Sequence, residues 1–232
     1  MATPVVVVEN LQQVWPGQPQ PCLKVAEFRM EAGERVFITG ASGSGKSTFL
    51  NLLSGILRPQ QGSVMIAGTA LHTLGARACD RFRARHIGLV FQQFNLVPWL
   101  SVEANIRLAA RFAGGQAPPP SQIDELLQAL RLPLALRSQR ADRLSVGQQQ
   151  RVAVARALVN QPSLLIADEP SSALDADSRA AFMALLLQVQ AEAGTSILCV
   201  SHDPALAPGF DRVLDMRDLN QAAVRGATAD AA

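Results

Sequence analysis

The stretch Arg35-Val36-Phe37-Ile38-Thr39-Gly40-Ala41-Ser42-Gly43-Ser44-Gly45-Lys46-Ser47-Thr48-Phe49-Leu50 decides the fold. A short apolar strand, Val36 to Ile38, runs into a glycine-rich turn matching GxxxxGK[ST], and an apolar helical run follows from Phe49 to Leu53. Glycines let the backbone wrap so that successive N–H groups point inward at phosphate oxygens, and the helix N-terminus adds its positive end at the same point. Gly40 to Thr48 therefore form a candidate nucleotide-phosphate cradle, with Lys46 reaching the β and γ phosphates and Ser47 offering its hydroxyl to Mg²⁺. The 21 basic residues include only two lysines, Lys24 and Lys46. A lysine here suits a site that needs a compact ammonium rather than a planar fork.

Outward from the cradle, short β-branched runs alternate with helical spacing, the pattern of parallel strands joined by crossover helices. The expected fold is α/β, a mostly parallel P-loop sheet with an N-terminal antiparallel part. Strands are expected at Val5 to Val8, Leu23 to Met30, Arg35 to Thr39, Ser63 to Ala67, Ile87 to Phe91, Leu164 to Ala167, Thr195 to Val200 and Arg212 to Met216. Ile123, Leu126, Leu127 and Leu130 make a helical stripe, opened by a capping-box pattern at Ser121 and Asp124. Phe182, Leu185, Leu186 and Val189 make another, with Gly194 as its stop. Strand signals vanish between Phe91 and Leu164. The chain is expected to be one domain, with residues 1–91 and 161–221 as an α/β core, 92–160 as an inserted helical subdomain and 222–232 as a disordered tail.

The 232 residues, 48% hydrophobic and 17% charged, suit a packed globular domain and exclude a disordered or fibrous chain. No stretch offers the ~20 apolar residues needed to span a bilayer. The start lacks the basic and apolar regions of a signal peptide, which points to the cytosol. Cys22, Cys79 and Cys199 are scattered without a CxxC, as expected of reduced packing thiols. A net charge of +2 without a basic block gives no footprint for a nucleic-acid partner.

Leu164-Leu165-Ile166-Ala167 is an apolar strand that ends in Asp168 and Glu169. In open α/β sheets, ligands bind outside the carboxyl ends of the strands. Asp168 then faces the Mg²⁺ site, and Glu169 sits where it can orient and deprotonate a water attacking the γ-phosphate. Beside the cradle, this is the expected second half of a P-loop NTPase.

Leu144-Ser145-Val146-Gly147-Gln148-Gln149-Gln150-Arg151, just before that strand, resembles the LSGGQ signature of the ATP-binding-cassette (ABC) ATPases. The resemblance runs from Trp15 to about Met216. It implies Mg²⁺-dependent ATP hydrolysis by a head-to-tail dimer, with Ser145, Gly147 and Gln148 of one subunit meeting the ATP held by the other. Val146 replaces the usual first glycine, so the closest backbone approach falls to Gly147. Trp15 matches the aromatic that stacks on adenine, its alternative being a core tryptophan. Gln92 matches the Q-loop glutamine at Mg²⁺ and the attacking water, Ser171 to Asp175 the D-loop, and His202 the switch histidine at the γ-phosphate. His72 and His86 lack such a setting and read as surface residues.

Arg85 to Gln92 is most similar to the lipoprotein-release and macrolide-export branch of bacterial ABC ATPases, whereas Gln92-Gln93-Phe94-Asn95-Leu96 also resembles polar amino-acid importers. Either implies integral membrane permease partners and a peripheral place on the cytoplasmic face of the inner membrane. Phe91, Phe94 and Trp99, with Leu96, Val97 and Leu100, are expected to be partly exposed as the permease-helix groove. A DNA-repair or chromosome-organising ATPase is disfavoured, because the residues between Gly45 and Ser145 carry no heptads. A hydrolysing regulator of a membrane complex is a third reading. The end of the chain fits worst: Arg217-Asp218-Leu219-Asn220 offers neither the glycine turn nor the further strand usual in the family.

Overall fold

The computed structural model describes residues 4–222; of the tail expected over 222–232, Ala222 is described and its N–H donates to Asn220 Oδ1, while 223–232 lie outside the described residues. The core is a five-stranded sheet, all of its pairings parallel. In the labels used here its strands are β3 (Arg35–Thr39), β6 (Ile87–Val90), β7 (Leu164–Asp168), β8 (Ser196–Ser201) and β9 (Arg212–Asp215), in the order β6-β7-β8-β3-β9. A separate antiparallel sheet orders β2 (Leu23–Glu31), β1 (Pro4–Gln13), β4 (Gln61–Ile66) and the two-residue β5 (Thr69–Ala70). The helices are α1 (Lys46–Leu53), α2 (Ala76–His86), α3 (Val102–Phe112), α4 (Pro120–Ala129), α5 (Val146–Leu158), α6 (Ala176–Glu192) and α7 (Met216–Leu219).

Because strand side chains alternate, the parallel sheet feeds two cores. Val36, Ile38, Leu164, Ile166, Leu198 and Val200 face α1 and the antiparallel sheet. Phe37, Leu165, Ala167, Ile197 and Cys199 face the helices, with Ile106, Ile123, Leu127, Val152 and Leu186. Helix α5 sits close to β6: a Cβ on Gly88 would stand 2.5 Å from the Ala157 carbonyl, so only glycine fits there.

Four sequence expectations are corrected. Ser121 caps nothing: α4 begins at Pro120 behind Pro119, because a proline at the first helical turn needs no N–H partner and brings the helical φ with it. Met216 opens α7 instead of closing β9. His86 is half-buried, its ring stacked 4.5 Å from Phe82, and burial holds its pKa below the usual histidine value. Cys79 and Cys199 are packing thiols, but Cys22 is only half-buried and lines the cleft described below. The stop at Gly194 holds, with φ +63° just beyond α6.

Candidate functional site

Strand order places the chemistry. Parallel register pairs Thr39 with Ser201 and Asp168 with Val200, so β3, β8 and β7 deliver the cradle, His202 and the Asp168-Glu169 pair to one edge of the sheet. β6, beside β7, brings Gln92 to the same edge. Trp15, Cys22, Ser42, Gly43, Gly45, Lys46, Ser47, Thr48, Gln92, Asp168, Glu169 and His202 line one cleft of about 580 Å³. Trp15 is 40% exposed, which removes the core-tryptophan alternative.

The cradle's shape follows from its glycines. Gly43 and Gly45 hold φ of +78° and +100°, where L side chains are strained. Gly45 caps α1, and Phe49 N–H donates to its carbonyl at 2.9 Å. Lys46 Nζ bridges the carbonyls of Gly40 and Ala41 at 2.6 and 2.8 Å. Among the described residues, Ser44 Oγ is buried without a hydrogen-bond partner.

Asp168 and Glu169 differ sharply. Burial, followed by the neighbouring Glu169 charge, raises the Asp168 pKa from its ordinary value, and Lys46 opposes the shift. Glu169 has a left-handed backbone, φ +47°, unusual outside glycine and a form of stored strain found at functional sites. Its N–H donates to the Val200 carbonyl at 2.9 Å. Its carboxylate accepts from Ser201 Oγ at 2.9 Å and from the His202 backbone N–H at 2.9 Å, and His202 Nδ1 lies 2.8 Å away. Glu169 and His202, matched separately in the sequence, are thus in direct contact.

The signature stands apart. Ser145 caps α5, accepting from Gln148 N–H at 3.3 Å while the Gln148 side chain accepts from Ser145 N–H at 2.9 Å, a reciprocal capping box. Ser145, Gly147 and Gln148 do not line the cleft. Among the described residues outside its own helix turn, nothing lies within 4 Å of where a Gly147 Cβ would be, and Val146 is 49% exposed.

Three participants escape sequence reading. Ser201 holds Glu169, and only its place at the end of a strand hinted at that. Gln150 is fully buried, its amide donating to the Pro170 carbonyl and so tying α5 to the turn after Glu169, although it looks like one more glutamine of an exposed face. Asn220 is buried against the cradle itself. The aromatic stretch after Gln92 divides. Asn105 pins Val97 to Ser101 through four hydrogen bonds, Leu96 packs on the helical core, and Trp99 is left 67% exposed. Phe91 lines a second groove of about 560 Å³ with Arg156 and with Phe112, which the sequence reading overlooked and which is 68% exposed.

Comparison with known proteins bears on the family and the fold. Residues 23–172 match the ABC transporter family. The chain is 38% identical over 219 residues to the macrolide export ATP-binding/permease protein MacB of Shigella flexneri, and 37% identical over 219 residues to that of Escherichia coli K12. Each alignment covers 93% of this chain and 34% of the relative, so the chain spans about a third of the length of the curated relatives it matches. Among solved structures, the ATP-binding cassette MJ0796, a dimer in a post-hydrolysis state bound to ADP and Pi, superposes with a TM-score of 0.81 at 34% identity, over 90% of this chain and 93% of that one. The cbiO1 protein of Clostridium perfringens, part of the ABC transporter complex cbiONQ, superposes with a TM-score of 0.80 at 29% identity, over 91% of this chain and 84% of that one. The chain belongs to the ABC transporter family. Within it, the chain is an ATP-binding ATPase domain with the mixed parallel and antiparallel architecture of the cassettes.

Proposed function

We propose that the chain is the ATP-hydrolysing part of a transporter of the lipoprotein-release or macrolide-export type. It dimerises head to tail on ATP and drives an integral membrane permease from the cytoplasmic face of the bacterial inner membrane. One observation carries this reading: Lys46, Gln92, Asp168, Glu169 and His202 share a cleft from which Ser145 and Gly147 are absent. A signature held outside the cleft of its own chain, with its glycine unobstructed, fits one that completes the cleft of a second copy. The similarity to the MacB proteins over nearly the whole chain favours this branch over the amino-acid importers.

The geometry supports the following roles. Trp15 offers an aromatic face to the base at the cleft wall. Gly40 to Thr48 supply N–H donors to the phosphates, with Lys46 as the mobile charge. Ser47, Gln92 and Asp168 provide an oxygen-only donor set with one carboxylate, which suits Mg²⁺ held largely by substrate phosphates. When bound, Mg²⁺ neutralises charge developing on the phosphate oxygens. Glu169, fixed by Ser201 and His202, accepts the proton of the attacking water, and Gln92 orients that water. His202 carries the link from Glu169 to the terminal phosphate.

We assign residues 92–160 to a helical subdomain within one ATPase domain. The uninterrupted series of helices between β6 and β7 supports this. The groove at Phe91 and Phe112, with the exposed Trp99 on the same segment of chain, is its surface for a permease helix. Among the described residues, no helix is long and apolar enough to cross a membrane, as a peripheral place requires. The test is ATP turnover and sizing of the Glu169→Gln chain. Loss of hydrolysis with ATP-dependent dimerisation supports the reading, and near wild-type hydrolysis removes Glu169 from its role.

A further inference from the structure

The parallel pairing of β9 with β3 sets Asp215 beside Thr39, so the chain leaves both strands side by side, at Met216 and Gly40. The contact is close: a Cβ on Gly40 would stand 2.9 Å from Met216 Cβ. The single turn of α7 then carries the chain beneath the other end of the cradle, where Asn220 is 2% exposed. Its Oδ1 accepts from Lys24 N–H at 2.9 Å and from Ala222 N–H at 3.1 Å. Its Nδ2 donates to the carbonyls of Cys22 and Ser44, both at 3.1 Å. A carboxamide has two donors and two acceptor sites, and here all four are used.

The same nitrogen lies 3.1 Å from where a Cβ on Gly45 would be. The carboxamide thus fixes the spacing between two parts of the cleft. One is the segment at Cys22, which lines the wall with Trp15; the other is the cradle at Ser44 and Gly45. None of its hydrogen-bond partners belongs to the hydrolytic group of Gln92, Glu169 and His202. We propose that Asn220 is a positioning residue for nucleotide binding, setting the distance between the wall that receives the base and the cradle that receives the phosphates. This accounts for the departure at the end of the chain: Leu219-Asn220 forgoes the usual glycine turn and makes a clamp in its place. The inference rests on the reading of this cleft as the nucleotide site.

The test is ADP affinity of the full chain by titration calorimetry, together with KM and kcat for ATP, in Asn220→Ala, Asn220→Asp and Asn220→Ser. Asn220→Asp keeps the shape but turns carboxylate oxygens towards the two carbonyls. Leu219→Ala, which loosens the same turn and leaves the carboxamide in place, is the control. The expected result is an ADP Kd and an ATP KM raised about tenfold in Asn220→Ala, the size of one or two net hydrogen bonds. Asn220→Asp rises further, Asn220→Ser less, kcat stays near wild type in all three, and Leu219→Ala leaves Kd unchanged. Unchanged Kd in the folded variants overturns the proposal, as does an equal rise in Leu219→Ala or the failure of all three Asn220 variants to fold. If the wild-type chain binds no ADP, the nucleotide-site reading itself has failed, a result distinct from the others.

Discussion

Glu169 Oε1 lies 2.8 Å from His202 Nδ1 and also accepts the His202 backbone N–H at 2.9 Å. With Ser201 Oγ on the other oxygen, the carboxylate is held from both sides by two consecutive residues of the neighbouring strand's end. Residues that act as one unit lose activity non-additively when removed. Glu169→Gln and His202→Ala are each expected to lower ATP turnover by about a hundredfold or more. The double variant should be scarcely slower than the worse single one. A steady-state double-mutant cycle checks this; full additivity would show that the contact has no functional role.

Trp15 stands 40% exposed at the wall of the cleft, the condition for an aromatic face to be available for stacking. Trp15→Ala should raise the KM for ATP about tenfold, the lower range of a lost base–aromatic stack. The chain has only one other tryptophan, Trp99, which is also exposed. Nucleotide-dependent change in tryptophan fluorescence should therefore survive Trp99→Phe and vanish in Trp15→Phe.

The helical segment carries an ion-pair network in which Glu103 meets Arg107 at 2.6 Å and Arg137 at 2.8 Å, and Arg137 also reaches Asp124 at 3.1 Å. Hydrogen bonds, first from Arg137 and then from Arg107, lower the Glu103 pKa from 4.5 to about 2. Depression favours the folded, ionised form, so its stability is present above pH 4.5 and is lost as pH falls through about 2. Solvent reaches the pair, which limits the contribution to about 1 kcal/mol. For a chain of this length that is roughly 2–4 °C of Tm. Glu103→Gln should open such a gap from wild type at pH 7, and calorimetry in acid should see it close towards pH 2.

What could be read in advance followed the range of the physics. The cradle and the Asp168-Glu169 strand were legible because local chemistry fixes them: glycine at positive φ, a helix N-terminus, and an apolar run ended by charge. Strand order was not, and it is strand order that puts Ser201 and His202 against Glu169 and Asn220 under Ser44. The capping pattern at Ser121 misled because Pro120 already pre-set the first helical turn, whereas Ser145 and Gln148 make the capping box within the motif assigned to nucleotide recognition. Phe112 went unnoticed because an aromatic at a helix end looks like core until the neighbouring surface is known.

Trp99 and Phe112 are 67% and 68% exposed, and Phe112 lines the groove that holds Phe91 and Arg156. Asn105 hydrogen-bonds the backbone on either side of Trp99, at Val97 and at Leu100 and Ser101. Trp99→Ser with Phe112→Ser should leave the basal ATP turnover and Tm of the isolated chain near wild type, while co-purification with a membrane permease falls sharply. Unchanged co-purification would remove this surface from the assembly.

Head-to-tail dimerisation turns on Gly147. Among the described residues beyond its own helix turn, a Cβ there meets nothing within 4 Å, and the position needs no positive φ, so Gly147→Asp is expected to fold. It places a carboxylate where the account brings a second copy's terminal phosphate. The measurement is sedimentation of the Glu169→Gln chain with ATP, with and without Gly147→Asp. The expected outcome is an ATP-dependent dimer for Glu169→Gln alone and a monomer that still binds ATP when Gly147→Asp is added. A dimer that persists with the added aspartate, or a monomer that has lost its ATP, would contradict it.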